Sequence, residues 1–348
     1  MTAPAKKLTA GARTNELTVS AGLAGGLLQL AVEKGADEVE LLARAGIDPK
    51  LLADVDNRIP FSRYVALMRA GKELSGDPAL ALHYGETNDM ARISVVGLIA
   101  YACETMADVM VQLNRYGKLV VEIDAPPDGR WRMARDDKGL WAVDQRANAN
   151  DFPELSESTF ARMICGPRRF GVTQVALEVQ LTHKAPPYAA EYERIFGCPV
   201  TFEAKWNAAR IDTKWLTHKI GVEPHYAFGI FAERADALLK SLDSSKTVKG
   251  RVEAALLPVL HAGTADIDTV AAQLGMSRST LFNRLKDEGT TFSKVLDELR
   301  HRMALDYLQG KKVSVNETAY LVGFSEPAAF SRAFKRWTGK SPKAMRRA

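Results

Sequence analysis

The spacing of apolar residues separates a first part of mixed pattern from a helical last part. Over residues 21–86 apolar positions recur at three- and four-residue intervals, which predicts helices, and the same period predicts another helix over residues 106–116. Beyond it the period falls to two, as in β-strands. The alternating positions are Leu119, Val121 and Ile123, then Trp131 and Met133, then Leu140, Ala142 and Val143, and later Val175, Leu177, Val179 and Leu181. Helices predicted over residues 151–164 and 188–196 separate these strands, so the pattern indicates an α+β domain over residues 20–215.

Polar and turn-forming stretches mark the limits of this domain. Residues 1–19, rich in Ala, Thr and Gly, are expected to form a flexible tail. The run from Pro126 to Gly129 predicts the turn of the first hairpin. Residues 216–246 are expected to connect two domains through an amphipathic helix over residues 223–242 and a Ser-rich linker. That helix either joins the domains, forms a dimer interface or packs against its own domain, because one apolar stripe does not identify its partner.

The last hundred residues contain one short pattern twice, 48 positions apart. Ala271, Gly275, Ser277, Phe282 and Arg284 recur as Ala319, Gly323, Ser325, Phe330 and Arg332. In each copy a small residue allows two helices to cross closely, and the glycine four positions later ends the first helix. Ser277 and Ser325 are then expected to cap the second helix, whose apolar side, including Phe282 and Phe330, should face the core. A helix-turn-helix present twice predicts a DNA-binding region.

The distribution of charge agrees with this prediction. The whole chain carries 47 Lys and Arg against 42 Asp and Glu. From residue 247 onward there are 17 basic against 10 acidic residues, whereas the preceding part holds 30 against 32. The basic surplus therefore lies in the repeated region, as expected for a domain that binds the phosphate backbone, although a solvated surface alone can also produce such an asymmetry.

Residues 250–347 resemble the DNA-binding domain of the AraC/XylS family of bacterial transcription regulators. The first helix-turn-helix and its connecting helix match in LGMSRSTLFNRLKDEGTTFSKVLDELRHRMALDYL, and the second unit matches in VNETAYLVGFSEPAAFSRAFKRWTGKSP. The body of the chain is similar to the arabinose-binding-type sensor domain of one subgroup, through ARAGIDPKLLADVDNRIPFSRYVALM, GLIAYACETMADVMVQLNRYGKLV and HKAPPYAAEYERIFGCPVTF. The resemblance implies an α+β sensor domain followed by an all-α domain, residues 247–348, with two helix-turn-helix units joined by one helix.

The second helix of each unit supplies the candidate DNA contacts. In the first unit these are Arg278, Ser279, Thr280, Asn283, Arg284 and Lys286; in the second they are Ser325, Glu326, Ser331, Arg332, Lys335, Arg336 and Lys340. Arg pairs with guanine and Asn with adenine, whereas Lys mainly contacts phosphate. Each of these side chains has an ordinary alternative, either a helix–helix ion pair or a solvated surface. The connecting helix, residues 292–309, should be about 25 Å long, which suits two successive major grooves.

The sensor domain offers weaker candidates for an effector site. Basic and aromatic side chains near the hairpin and two helices could line such a site. They are Arg130, Arg132, Arg135, Arg168, Arg169, His183 and Tyr188. Surface exposure, or a structural role for the histidine, is the simpler expectation, and the name of the domain does not make arabinose the effector.

The remaining features favour a regulator over an enzyme. Cys103, Cys165 and Cys198 are widely spaced and lack an adjacent His or a metal-ligand spacing, which argues against a DNA-repair alkyl-transfer protein and against a metal or catalytic site. We expect no cofactor, no export signal and no membrane span, and therefore a cytoplasmic protein. The expected partners are double-stranded promoter DNA, RNA polymerase, a small-molecule effector and a second copy of the chain. The expected role is an effector-responsive activator; a DNA-bound architectural or partner-recruiting protein without effector is the alternative.

Overall fold

The computed structural model describes residues 16–219, 225–263, 265–309 and 313–347. These residues fall into two compact units, and the boundary lies between residues 240 and 241. The first unit combines helices with a five-stranded and a two-stranded sheet, and the second is helical throughout the part that the structure describes. The predicted fold classes of both parts are confirmed.

The N-terminal unit contains all the strands of the described chain. Its elements are β1 (Thr18–Ser20), α1 (Ala21–Glu33), α2 (Glu38–Ala45), β2 (Arg58–Pro60), α3 (Phe61–Leu74), α4 (Leu80–Thr87), α5 (Met90–Ile93), α6 (Val95–Tyr101), α7 (Met106–Val120), β3 (Trp131–Asp136), β4 (Gly139–Asp144), α8 (Pro153–Cys165), β5 (Ala176–Gln180), α9 (Ala189–Phe196), β6 (Val200–Thr201), β7 (Asn207–Ile211), α10 (Thr213–Leu216) and most of α11 (His225–Ser245). The larger sheet has the order β3-β4-β7-β5-β6, and only β5 and β6 run parallel.

The first hairpin turns at a different place from the predicted one. β3 pairs with β4 from Trp131↔Asp144 to Asp136↔Gly139, so its turn lies at Asp137 and Lys138. Asp136 closes this turn, because its Oδ1 accepts hydrogen bonds from the backbone N–H of Lys138 and Gly139. The 126–129 run does form a turn, but it leads from a helix into β3. Turn-forming residues favour a reversal without specifying which elements it joins.

Two further predictions near the sheets are wrong. Leu119 lies inside α7, which a capping box between Thr105 and Asp108 starts and which extends to Val120. The alternation over residues 119–123 is therefore the end of a helix followed by a single antiparallel bridge, in which Val121 pairs with Val19. At the other end of the unit, the tail expected to reach residue 19 is ordered from Thr18 onward, because β1 pairs with β2 and buries Val19 completely. The rest of the predicted tail, residues 1–15, lies outside the described residues.

α4 and α8 cross at the centre of the N-terminal unit. Gly85 makes their close approach possible, since a Cβ at this position would lie 2.3 Å from the carbonyl oxygen of Ser158. This crossing places Tyr84 of α4 beside Arg162 of α8, with the guanidinium 5.4 Å from the ring centre. It fixes one wall of the cavity described below.

The C-terminal unit is built around one long helix. Its elements are α12 (Val248–Leu256), α13 (Ile267–Gln273), α14 (Arg278–Asp287), α15 (Phe292–Gln309), α16 (Val315–Leu321), α17 (Pro327–Thr338) and α18 (Pro342–Arg347). α15 has the predicted bounds. Its first half contributes Val295 and Leu299 to a core with α12, α13 and α14, and its second half contributes Ala304 and Leu308 to a core with α16 and α17. At 18 residues α15 is about 27 Å long and connects the two cores rigidly.

Candidate functional site

The first helix-turn-helix begins as its sequence predicts. α13 is followed by Gly275, whose φ of 68° lies in the left-handed region that glycine adopts at low cost. Ser277 then caps α14, because its Oγ accepts the backbone N–H of Thr280 at 3.1 Å. Leu281 and Leu285 point into the core with at most 1% of their surface exposed. These contacts set which side of α14 faces solvent.

The exposed side of α14 carries polar residues and one aromatic ring. Ser279, Asn283 and Lys286 follow one another at helical spacing on the side opposite Leu281 and Leu285, and all three are exposed. Phe282 lies beside them and is 54% exposed, so its predicted core position is wrong. An exposed phenylalanine on this side adds an apolar surface to the candidate DNA contacts.

The second helix-turn-helix differs at the start of its second helix. Gly323 ends the turn after α16 with φ of 79°, as predicted. However, Glu326 occupies the N-cap position of α17 with no side-chain capping bond, and Pro327 is the first helical residue. Ser325 is therefore not the cap that the repeat predicts. Five residues separate α16 from α17, whereas four separate α13 from α14.

This extra residue shifts the equivalence between the two units from 48 to 49 positions. The first helices obey the 48-residue repeat, since Ala271 and Ala319 are both buried. In the second helices, by contrast, Leu281 corresponds to Phe330, which is fully buried 49 positions later. By the same shift Asn283 corresponds to Arg332. The predicted equivalence of Arg284 with Arg332 and of Phe282 with Phe330 is therefore wrong.

The predicted contact residues divide into free and engaged side chains. Within the described residues, several exposed ones form no side-chain ion pair or hydrogen bond. These are Asn283, Lys286, Arg332 and Lys335. Ser325, Glu326 and Lys340 are also exposed, and Ser331 is half-buried. Arg284 is half-buried on the side of Leu281, again without an ion-pair partner in the described part of the chain.

Four predicted side chains already have partners. Arg278 forms an ion pair with Asp268 of α13 at 2.8 Å, and Arg336 forms one with Asp297 of α15 at 2.9 Å. Both pairs are exposed, so each contributes little to stability and can be exchanged for a phosphate. The hydroxyls of Ser279 and Thr280 lie 3.0 and 2.8 Å from Ser277 Oγ, within the capping network.

A cavity of about 590 Å³ lies within the N-terminal unit. Two helices contribute to its walls together with the segments around them: α7 supplies an apolar stripe, and α8 supplies four side chains at helical spacing. The stripe on α7 includes Met106, Val109, Met110, Leu113 and Val120, and the residues on α8 are Leu155, Thr159, Arg162 and Met163. The volume lies in the range of sites that bind small organic ligands.

Only two of the predicted effector residues line this cavity. Arg130 does so while its guanidinium pairs with the buried Asp144 at 2.6 Å, and Arg169 does so while it pairs with Asp89 at 2.7 Å. Arg132 and Arg135 are exposed on β3, outside the cavity. Arg168 instead donates a hydrogen bond to the carbonyl oxygen of Ile195 at 2.7 Å.

His183 and Tyr188 also lie elsewhere, in a separate aromatic cluster. The His183 ring packs against Tyr192 and Phe202, and burial lowers its pKa. Tyr188 donates a hydrogen bond to Glu157 at 3.0 Å.

Sequence reasoning missed the residues that do line the cavity, such as Arg162. The periodicity of apolar residues in the sequence predicts helices at α7 and α8. It does not show which side of each helix faces the cavity.

The cysteines are poorly suited to nucleophilic chemistry. Burial raises the pKa of Cys103 and of Cys198 to about 11 and also raises that of Cys165. All three are free thiols with at most 8% of their surface exposed. They would be almost entirely protonated at neutral pH, which disfavours the alkyl-transfer alternative. In the described residues no group of three His, Cys, Asp or Glu side chains is arranged to hold a metal ion, and no helix there is long and apolar enough to cross a bilayer.

Comparison with known families identifies both units. The family model described as the arabinose-binding domain of AraC transcription regulators matches residues 35–220, more than half of the chain, and a helix-turn-helix domain model matches residues 270–348. The chain belongs to the AraC family of transcription regulators. This AraC-type protein is accordingly a DNA-binding transcription regulator with an arabinose-binding-type sensor domain.

Curated relatives match the chain over most of its length. The AraC-type chain is 28% identical over 339 residues to the ornithine utilization regulator of Pseudomonas aeruginosa, covering 95% of this chain and 96% of that protein. It is 26% identical over 329 residues to the HTH-type transcriptional regulator VirS of Mycobacterium tuberculosis, covering 92% and 94%. A crystal structure of the transcriptional regulator CdpR from Pseudomonas aeruginosa, 23% identical, covers 89% of this chain and 96% of that chain with a TM-score of 0.39.

Proposed function

We propose that this AraC-type regulator reads a bipartite promoter sequence, with α14 in one major groove and α17 in the next, and that a small molecule in its sensor cavity alters this binding. The observation that carries the proposal is the equivalence of Asn283 and Arg332. Both are exposed at the same position of their helices, on the side opposite the core, and neither has a partner among the described residues. The length of α15, about 27 Å, suits a spacing of about 34 Å between successive grooves once the flanking turns are included.

Each helix then contributes a different chemistry. On α14, Asn283 can form two hydrogen bonds with adenine, and the exposed ring of Phe282 can contact a thymine methyl group. On α17, Arg332 can pair with guanine O6 and N7. Lys286 and Lys335 occupy equivalent exposed positions, 49 apart, next to these base-reading residues, so we assign them to phosphates together with Lys340.

The proposal also covers where the regulator acts, its oligomeric state and the direction of regulation. We infer that it acts in the cytoplasm, that it binds promoter DNA as a homodimer and that it activates transcription by recruiting RNA polymerase. The connecting segment over residues 216–246 includes α11, whose Ile230 is 49% exposed, and this helix is the candidate dimer contact. For regulation, the effector must bind two states of the protein with unequal affinity, since a ligand of equal affinity shifts no equilibrium.

The experiment is selection of bound sequences from randomised duplex DNA with the full-length protein. We expect an enriched motif with two conserved blocks one helical turn apart. Asn283→Ala should relax one block and Arg332→Ala the other, each at a cost of about 1 to 3 kcal/mol. Arg302→Ala is the matched control, since Arg302 pairs with Glu253 of α12 and lies on neither reading helix. Binding without enrichment would favour the architectural alternative.

A further inference from the structure

The sensor cavity is mostly apolar, but six charged side chains contribute to its wall. They are Asp89, Lys118, Glu122, Arg130, Arg162 and Arg169. The rest of the lining consists largely of aliphatic and aromatic groups from α7, α8 and the segments between them. A charge at such a wall is costly unless a partner compensates it, so the pairing of each charge indicates what the cavity can accept.

Five of the six charged side chains are already engaged. Arg130 pairs with Asp144, and Arg169 pairs with Asp89. Glu122 accepts hydrogen bonds from the backbone N–H and the hydroxyl of Thr18 at 3.0 and 2.6 Å. Lys118 also interacts with the protein. These groups are compensated within the N-terminal unit.

Arg162 is different. No carboxylate among the described residues pairs with it, and its packing partner is the ring of Tyr84, 5.4 Å from the guanidinium carbon. Its Nε and Nη2 are buried and have no hydrogen-bond acceptor in the described part of the chain. Because these donors are withdrawn from water without a replacement, the guanidinium has an unmet requirement for an acceptor.

The position of Arg162 connects this requirement to the cavity. α8 places Thr159 one turn and Leu155 two turns before Arg162, and all three line the cavity. An acceptor from the protein is missing among the described residues, and Arg162 is part of the cavity wall, so a ligand in the cavity is the remaining source of an acceptor.

We propose that the cavity binds a monocarboxylate with an apolar body, and that Arg162 pairs with the carboxylate. A carboxylate matches the planar fork of one guanidinium, and the apolar lining accommodates the body. A doubly charged phosphate would require further free cations, and the predominantly apolar lining favours a ligand with an apolar body over a sugar. The inference rests on the proposed effector role of the cavity and names the chemical class of the effector.

The test uses the full-length protein and calorimetric titration with hexanoate, decanoate, benzoate and phenylpropionate, each beside its primary amide. We expect at least one acid to bind, with its amide weaker by roughly 10- to 100-fold, as expected for a hydrogen-bonded charge pair. Arg162→Met, which retains the apolar stem, should reduce acid binding to the level of the amide. Arg162→Lys should restore part of it. Arg132→Gln, an exposed arginine outside the cavity, is the matched control and should bind like the wild type.

The outcomes separate this inference from the proposed function. Equal binding of acid and amide, unchanged acid binding by a folded Arg162→Met variant, or no binding of any of these probes would overturn the carboxylate site. DNA binding by the same variants is measured in parallel without ligand. If DNA binding persists while the acids fail, the DNA-reading proposal stands and only the effector class is wrong. The melting temperature of each variant shows whether a loss of acid binding reflects unfolding.

Discussion

The guanidinium of Arg300 donates a hydrogen bond to the carbonyl oxygen of Gly323 at 3.0 Å. This contact links the middle of α15 to the turn of the second helix-turn-helix. Arg300 also lies 4.8 Å from the centre of the Phe324 ring, the residue that follows this glycine. One side chain of the connecting helix therefore fixes the turn from which α17 starts, and thereby its direction.

Arg300→Met should destabilise the C-terminal unit by about 1 to 3 kcal/mol, because a partly buried carbonyl loses its charged donor and the ring loses its cation. Denaturant unfolding of the protein, monitored by far-UV circular dichroism, measures this. Arg302→Met, two residues further along α15 with an exposed ion pair, should change the free energy of unfolding by less than about 1 kcal/mol. Equal losses in the two variants would contradict the role of Arg300.

The two turn glycines should respond differently to alanine. Both have positive φ, which costs a non-glycine residue about 1 to 2 kcal/mol. A Cβ at Gly275 meets nothing within 4 Å, whereas one at Gly323 would lie 2.2 Å from the carbonyl oxygen of Leu260. Gly323→Ala should therefore cost clearly more than Gly275→Ala when unfolding free energies are compared. If Gly275→Ala proved the more damaging, the close contact with Leu260 would be wrong.

Alanine substitution should affect mainly DNA binding at Phe282 and mainly stability at Phe330. Phe330→Ala removes a fully buried ring and should cost about 3 to 5 kcal/mol of stability. Phe282→Ala should leave the unfolding free energy within about 1 kcal/mol but weaken binding to the selected DNA. Melting curves and fluorescence-anisotropy titrations measure the two effects. A large loss of stability in the Phe282→Ala variant would show that the Phe282 ring is buried in the core.

The buried pair of Asp144 and Arg130 should make stability depend on acid pH. Burial alone raises the pKa of Asp144, but the facing Arg130 and the backbone N–H of Arg146 outweigh it, so the pKa lies below its ordinary value of about 3.9. The contribution to stability is therefore complete above this ordinary value and is lost as the pH falls through the lower folded value.

The comparison of wild type with Asp144→Asn tests this dependence. The difference in unfolding free energy should be constant above about pH 5 and should shrink as the pH falls toward 2. Asp137→Asn is the control, since Asp137 is exposed at the turn of the same hairpin and has no ion-pair or hydrogen-bond partner among the described residues. A difference that grows on acidification would show that the pKa of Asp144 is raised.

The repeated glycines were sufficient to predict both turns, and the period of apolar residues predicted α15, because these features depend on local backbone geometry. The position of α17 was not predictable in the same way. A turn tolerates one additional residue, here Glu326, and every later side chain then rotates by about 100° relative to the expected side. Phe282 was misplaced for this reason, since the repeat aligned it with the buried Phe330.

The candidate effector site could not be predicted from the sequence, for a different reason. The sequence contains many arginines, and its pattern does not reveal which of them have carboxylate partners. Arg130 and Asp144 are adjacent only because β3 pairs with β4, and Arg162 is distinguished by the partner it lacks among the described residues. Pairing across elements is a tertiary property, so it could be read only from the structure.

The central claim is that α14 and α17 of one chain read two successive grooves at a distance set by α15. It is tested most directly by the affinity for the selected DNA after five base pairs, about half a helical turn, are inserted between its two blocks. The account predicts that affinity falls to that of DNA with only one intact block, because a rigid α15 cannot follow the displaced block. Unchanged affinity for the DNA with the insertion would contradict it.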